Sequence, residues 1–213
     1  MNFTTILVAL TGIISYQAFT NLSMKQQLLF HPTSIQARGE WYRFFTSGFI
    51  HADWGHLIIN MFVLYQFGEV VEIYFEQIFG LSAGRVIYIL FYLSAIAIAS
   101  IPSYFKHNDN NYYRALGASG ATSAIVFVYV FFDPWQWFIF PPLPGVLMAI
   151  GYLWYSSYMA KRGNDNIGHD AHFWGAFYGL VFIFSIAIFY RPELLDYFLV
   201  KLLAGPTSPP FLN

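Results

Sequence analysis

The sequence predicts an all-α, polytopic membrane protein built as a bundle of six transmembrane helices. Hydrophobic residues make up 57% of the 213-residue chain and charged residues only 10%, too few to cover a water-soluble globule with polar surface. The mean hydropathy is +0.51. A helical span needs about 20 apolar residues to cross about 30 Å of hydrocarbon. Six stretches approach that length: residues 3–20, 55–75, 85–104, 117–132, 143–160 and 168–190.

The ends of these stretches and their connections support this division. The first stretch has neither a basic leading region nor a small-residue cleavage site, so we expect a retained span rather than a signal peptide. The connection over residues 21–54 mixes apolar and aromatic residues, as segments in the membrane interface do. Prolines at 134 and within 141–144 bracket the connection between the fourth and fifth stretches, because proline lacks the N–H that continues a helix.

The domain organisation predicted from the sequence is simple. The chain contains neither an internal repeat nor a composition change that would mark a second domain. Residues 1–203 are therefore predicted to form a single six-span membrane domain. Residues 204–213, with Gly205 and three prolines, are predicted to be a flexible tail.

Charge and cysteine content exclude several classes of function. The net charge is −1 and the ten Lys and Arg residues are spread along the chain, so it offers no basic field for nucleic acid. The absence of cysteine excludes disulfides and thiolate metal sites. The same absence does not indicate a redox compartment.

Polar residues recur at the starts of alternate spans. Because six spans alternate in direction, the second, fourth and sixth all begin at the same membrane face. His56, Ser119 and His172 each lie within a few residues of such a start. We therefore expect these three side chains at similar depth on one side, where a water-filled cavity can open.

Small residues around two of these positions predict close helix packing. Ser119 lies on a nearly side-chain-free surface, and Gly175 and Gly179 are spaced four apart after His172. That surface is formed by Gly117, Ala118, Ser119, Gly120, Ala121, Ser123 and Ala124. Small residues allow helix backbones to approach closely within a membrane. Contact between the fourth and sixth spans would bring the hydroxyl of Ser119 within reach of the His172 imidazole.

A hydroxyl beside an imidazole predicts nucleophilic catalysis. Serine is a poor nucleophile until a base takes its proton, and imidazole is suited to that task near neutral pH. Asp170 precedes His172 by only two residues and faces nearly the opposite side of the helix. We therefore predict a Ser119–His172 dyad rather than a triad with a carboxylate.

The second span supplies candidates to stabilise an oxyanion. His56 and Asn60 are four residues apart and so share one helix face. With the backbone N–H of Ser119, they are the candidate donors to the oxyanion of a tetrahedral intermediate. His51 is expected to have a structural role, as a hydrogen-bond partner of loop backbone. For Glu72, near the far end of the span, we expect snorkelling or a structural bond.

These residues together resemble a known family, the rhomboid intramembrane serine proteases of the compact six-span type. The resemblance covers about residues 40–190, and the order of its motifs matches the order of the spans. Its motifs are His51-x4-His56-x3-Asn60, Gly117-Ala118-Ser119-Gly120, Ala171-His172 with Gly175 and Gly179, Arg43 after two aromatics, the run from Thr46 to Trp54, and Gly68 with Glu72.

The resemblance implies cleavage of a peptide bond in or beside a transmembrane segment of another protein, without metal or cofactor. It implies that Ser119 attacks, that His172 acts as base and then acid, and that His56 and Asn60 bind the oxyanion. The partners it implies are transmembrane protein substrates and the lipid bilayer, with no nucleic acid and no obligate protein partner. We expect a multi-pass protein of the bacterial inner (cell) membrane.

Two positions depart from the family pattern. The usual Trp-Arg pair reads Trp41-Tyr42-Arg43 in this chain. The fourth residue after the nucleophile, often an aromatic that packs under the base, is Ser123. The second departure leaves the orientation of the His172 ring open.

Three other functions are compatible with parts of the sequence. A catalytically inactive rhomboid-like protein would bind transmembrane clients, but this chain retains both Ser119 and His172. A metal or haem site could use His51, His56, His169 and His172, but the chain lacks a His-Glu-x-x-His arrangement. A transporter would use internal repeats and broken helices, which the sequence does not indicate.

Two lines of reasoning predict opposite orientations of the chain in the membrane. The family orientation starts the first span in the cytoplasm and places most Lys and Arg residues outside. The positive-inside rule predicts the reverse. We keep the family orientation as the expectation, because Arg43 belongs to a structural motif and several other cations lie beside loops that would form the site.

Overall fold

The computed structural model describes residues 2–138, 142–162 and 168–206. Helices account for 79% of these residues, and no strand longer than an isolated bridge occurs among them. The predicted all-α membrane bundle is confirmed. Most of the predicted tail, residues 207–213, lies outside the described residues.

The described residues form ten α-helices, numbered in chain order. They are α1 (Phe3–Thr20), α2 (Leu22–Leu28), α3 (Pro32–Arg38), α4 (Arg43–Thr46), α5 (Trp54–Phe79), α6 (Leu81–His107), α7 (Ser119–Phe132), α8 (Gly145–Arg162), α9 (His169–Phe189) and α10 (Glu193–Leu203). A 3-10 turn over Ser47–Phe49 follows α4.

Each of the six predicted stretches coincides with one helix: α1, α5, α6, α7, α8 and α9. Of the described helices, α1, α5, α6 and α9 are long and apolar enough to cross a membrane by length and composition. Helix α7 has 14 residues, about 21 Å at 1.5 Å per residue. That six helices cross the membrane therefore remains a prediction.

Two helices are longer than the sequence predicted. Helix α5 ends at Phe79 rather than at 75, and helix α6, which contains Pro102, runs from Leu81 to His107 rather than from 85 to 104. A proline is tolerated within a membrane helix when neighbouring groups satisfy the freed carbonyl. Helix α10 was not predicted as a separate element, and none of its residues is buried.

Helix α7 lies at the centre of the bundle. Twelve of its 14 residues are buried, and it packs against α5, α6, α8 and α9. The hydrophobic core includes Ile125, Val128 and Phe131 from this helix. Since α7 opens with Ser119, the bundle encloses the helix that carries the predicted nucleophile.

The connection between α1 and α5 is organised by one buried cation. Arg43 is 4% exposed and donates from Nη1 to the carbonyl oxygens of Gln26 (2.9 Å) and Leu29 (2.7 Å). Its Nε donates to Glu40 at 2.5 Å. Hydrogen bonds from Arg38 and Arg43 lower the pKa of Glu40 to about 2. These bonds explain structurally why an arginine stands at position 43.

A buried carboxylate joins α1 to α5. Glu72 is 1% exposed and accepts hydrogen bonds from the backbone N–H groups of Phe3 (2.8 Å) and Thr4 (2.9 Å) and from Thr4 Oγ1 (2.8 Å). The first-turn N–H groups of a helix lack partners within that helix and favour a negative charge. Glu72 therefore caps α1, which is the structural bond expected for this residue.

We predict that Glu72→Ala lowers the free energy of unfolding by about 3 kcal/mol, because it leaves buried donors without their charged acceptor. Glu69→Ala is the matched control, since Glu69 is half-buried and accepts from Asn2 at 2.8 Å on the same helix. It should lower stability by about 1 kcal/mol or less. Denaturant unfolding in detergent measures both values, and equal losses would contradict the capping role.

Candidate active site

The site is built on direct backbone contact between α7 and α9. A Cβ placed on Gly175 would overlap the carbonyl oxygen of Gly120 and lie 2.9 Å from its Cα. A Cβ on Gly179 would overlap the carbonyl oxygen of Ala124. Real Cβ atoms do not occur that close to backbone, so only glycine allows this approach.

This contact brings the neighbours of both predicted catalytic residues together. Gly120, which follows Ser119, also faces Ala171, which precedes His172, since a Cβ on Gly120 would lie 3.3 Å from the Ala171 carbonyl oxygen. Ser119 and His172 are both half-buried. The predicted packing of the fourth and sixth stretches is therefore present, and it sets the two residues on adjoining helix turns.

The His56 ring lies against the backbone just before Ser119. A Cβ on Gly117 would be 2.5 Å from His56 Cε1 and 2.8 Å from its Nε2. The φ angle of Gly117 is +116°, a conformation that side-chain-bearing residues rarely adopt. Position 117 thus requires glycine both for the backbone turn into α7 and for the space that the imidazole occupies.

The first turn of α5 is held by its own cap. The Asp53 carboxylate accepts from the backbone N–H of His56 at 2.9 Å, as an N-cap residue does. His56 is half-buried, and Asn60, one turn later, is 4% exposed. The two side chains share the helix face that was predicted from their spacing.

Asn60 is oriented by two hydrogen bonds. Its Nδ2 donates to the carbonyl oxygen of His56 at 2.8 Å. Its Oδ1 lies 3.2 Å from Thr122 Oγ1, whose single proton it shares with the Ser119 carbonyl oxygen at 3.1 Å. A primary amide has two N–H donors, so one remains beyond the bond to His56. Thr122 lies on α7, three residues after Ser119, and was not identified from the sequence.

His51 holds the backbone that precedes Ser119. Its Nε2 accepts from the N–H of Ala118 at 3.2 Å, and its Nδ1 lies 2.9 Å from Ser15 Oγ. Burial, with a smaller effect of His56, lowers the pKa of His51 to about 3. The neutral ring then carries its proton on Nδ1 and donates to Ser15. This is the structural role, bonding to loop backbone, that was expected for His51.

A large cavity joins the predicted residues. It has a volume of about 2060 Å³, and its lining includes Ser119, His172, His56 and Asn60. These four residues lie on α5, α7 and α9, which correspond to the second, fourth and sixth predicted spans. The structure therefore brings all four predicted site residues to one cavity.

Charges near the cavity mouth are paired across helices. Lys106, near the end of α6, lies 2.8 Å from the carboxylate of Asp170 in the first turn of α9. An acidic side chain in a first turn also complements the helix dipole. Asp170 is therefore engaged with α6, which agrees with its exclusion from the predicted dyad.

The histidines of the chain do not form a metal cluster within the residues that the structure describes, where no group of three or more His, Cys, Asp or Glu side chains could hold an ion. The rings of His51 and His56 lie 4.9 Å apart, edge to face. This contact is an aromatic packing geometry.

The fold is an all-α membrane bundle, and its cavity has a mostly apolar lining that also includes Ser119, His56, His172 and Asn60. Residues 38–189 match the Rhomboid domain, and the chain belongs to the rhomboid family.

Two curated relatives from Arabidopsis thaliana are similar to this chain. RHOMBOID-like protein 12, mitochondrial, is 27% identical over 186 residues, which cover 80% of this chain and 54% of the relative. Rhomboid-like protein 11, chloroplastic, is 30% identical over 161 residues, which cover 70% and 54%. The chain thus spans about half the length of the curated relatives it matches.

We predict that Gly175→Ala lowers the free energy of unfolding by about 1–3 kcal/mol, because the added methyl group overlaps α7 backbone and forces the helices apart. Gly151→Ala in α8 is the control, since nothing lies within 4 Å of a Cβ there and alanine is the better helix former. Unfolding titrations in detergent compare the two. A Gly175→Ala protein as stable as wild type would contradict the close contact.

Proposed function

We propose that this chain is a serine endopeptidase that cleaves transmembrane segments of other membrane proteins with a Ser119–His172 dyad. The observation that supports this most strongly is the glycine-mediated contact of α7 with α9, beside a cavity lined by Ser119, His172, His56 and Asn60. Membership of the rhomboid family supports the same reaction class.

In the proposed reaction, Ser119 Oγ attacks the scissile carbonyl carbon while the His172 imidazole takes the hydroxyl proton. The tetrahedral intermediate collapses to an acyl-enzyme, and His172 returns that proton to the leaving amine. A water molecule then attacks the ester, His172 again acts as base, and Ser119 regains its proton. No electron transfer and no cofactor enter this sequence.

The oxyanion would be stabilised by donors that the fold fixes in advance. Ser119 opens α7, so its N–H belongs to the first turn, whose N–H groups have no partner within the helix. Asn60 is oriented by Thr122 and by the carbonyl of His56. The His56 ring is held against Gly117. Donors positioned before the reaction need no reorganisation when charge develops.

The shortness of α7 supports a site below the membrane surface. Its length of about 21 Å is less than the roughly 30 Å of a hydrocarbon core. We infer that its Ser119 end begins within the membrane and that the cavity supplies the water for hydrolysis. Substrates would be helices with small residues at the cleaved bond that unwind readily, because attack requires an extended backbone.

The chain is an integral membrane protein, and the bacterial inner (cell) membrane stays our prediction for its location. The names of the two curated relatives assign those proteins to mitochondria and chloroplasts. The proposed function itself requires only a bilayer that contains transmembrane substrates, with no obligate protein partner.

We expect purified protein in detergent to cleave a model transmembrane substrate, and Ser119→Ala and His172→Ala each to lower turnover by more than about 10³-fold while folding normally. The matched control is Ser185→Ala, which removes a hydroxyl that donates to the Val181 carbonyl oxygen on its own helix. Gel and mass analysis of the products measure cleavage. Retained cleavage by Ser119→Ala would rule out the nucleophile, and client binding without cleavage by wild type would indicate an inactive relative.

We predict that combining His56→Ala with Asn60→Ala lowers kcat by about 10²- to 10³-fold, because these donors act on charge that exists only in the transition state. KM should change by about threefold or less. Steady-state kinetics, with thermal unfolding as the check on folding, separate the two effects. Equal losses in binding and in rate would remove these residues from the oxyanion role.

A further inference from the structure

The His172 ring is supported by an aromatic ring from a different helix. The ring centroids of Tyr152 and His172 lie 6.0 Å apart with 22° between their planes, within the range of offset stacking. Tyr152 belongs to α8 and lines the cavity. Ser123 on α7, one turn after Ser119, has no aromatic ring that could stack on His172.

The Tyr152 hydroxyl is bonded to the nucleophile's own helix. It lies 2.7 Å from Ser123 Oγ, which in turn donates to the carbonyl oxygen of Ser119 at 2.7 Å. Because a serine hydroxyl has one proton, the Tyr152 O–H must be the donor to Ser123. Tyr152 thus contacts the predicted base with its ring and the turn of the predicted nucleophile with its hydroxyl.

A second ring pair extends this contact between α8 and α9. Tyr155 packs edge to face on His169 with centroids 5.6 Å apart, and His169 packs edge to face on His172 at 5.9 Å. His169 is 4% exposed. The first turn of α9 is therefore held against α8 by two tyrosines one turn apart.

We propose that Tyr152 is the positioning residue for the catalytic base, and that it makes the orientation of His172 depend on the placement of α8. The proposal rests on the Ser119–His172 dyad put forward above. The Tyr152 ring fixes the plane of the imidazole, while its hydroxyl, through Ser123, fixes the ring relative to the Ser119 turn. A displacement of α8 would withdraw both contacts together.

The ring also has an electrostatic role in this arrangement. When His172 holds the proton taken from Ser119, the imidazole is a cation, and the face of an aromatic ring about 6 Å away attracts a cation. This attraction is absent while the imidazole is neutral. Tyr152 therefore acts on the charged intermediate more than on substrate binding, which predicts an effect on kcat rather than on KM.

The test compares Tyr152→Leu, Tyr152→Phe and the control Tyr158→Leu, all on α8. Tyr158 packs on Trp154 with ring centroids 5.7 Å apart and is 39% exposed. We expect Tyr152→Leu to lower kcat about 10- to 100-fold, because small misplacement of a catalytic group has that effect, with KM changed about threefold or less. Tyr152→Phe keeps the ring and should stay within about fivefold of wild type. Tyr158→Leu should match wild type.

A spectroscopic measurement tests the contact without any cleavage assay. A stacked tyrosine shifts the ring protons of His172 upfield in NMR spectra of protein with labelled histidine. This shift should disappear in Tyr152→Leu and persist in Tyr152→Phe and Tyr158→Leu. Unchanged His172 resonances in Tyr152→Leu, or unchanged kcat, would overturn the positioning role.

The outcomes separate this proposal from the proposed function. Cleavage by Ser119→Ala equal to wild type would refute the dyad, whereas an inactive Ser119→Ala with a fully active Tyr152→Leu would refute the positioning role alone. Should Tyr152→Leu fail to fold, Tyr152→Phe and Ser123→Ala decide, because both remove the bond between Tyr152 and Ser123, while Ser123→Ala also removes the bond to the Ser119 carbonyl oxygen. The double variant should then lose no more kcat than Ser123→Ala alone, and additive losses would overturn the proposal.

Discussion

Direct contact between the backbones of α7 and α9 sets how closely the central helices of the bundle can pack. Gly175 and Gly179 remove the side chains that would otherwise separate α9 from Gly120 and Ala124 on α7. Apolar side chains provide little driving force between helices in a membrane, so close packing and polar contacts must hold them together. The same contact decides which polar groups can meet inside the bundle, and so it determines both stability and the candidate chemistry.

Three polar groups around the bundle core are held by specific partners. Glu72 caps α1, His51 fixes the backbone before Ser119, and Thr122 orients Asn60. An unsatisfied polar group in a region without water is destabilising by several kcal/mol. These bonds therefore stabilise the bundle and, at the same time, fix the backbone and side chains around the cavity before any substrate arrives.

Much of the fold follows from the sequence, because hydropathy and span length report directly on helices in a membrane. The glycines and the spacing of His56 and Asn60 likewise predict which faces meet, since a missing side chain and a shared helix face are local properties. The contacts of Tyr152 and Thr122 were not predictable in this way. They depend on how α8 and α7 are rotated and placed against their neighbours, and a tyrosine or threonine within an apolar helix gives no signal of that placement.

Under the proposed function, the fold presents the Ser119 hydroxyl to the His172 imidazole in an accessible cavity. Reaction of the purified protein with a fluorophosphonate, followed by peptide mass mapping of the adduct, tests this arrangement. We expect one adduct, on Ser119, that forms in wild type and is lost in His172→Ala. An adduct on another residue, or labelling of Ser119 at an unchanged rate in His172→Ala, would contradict it.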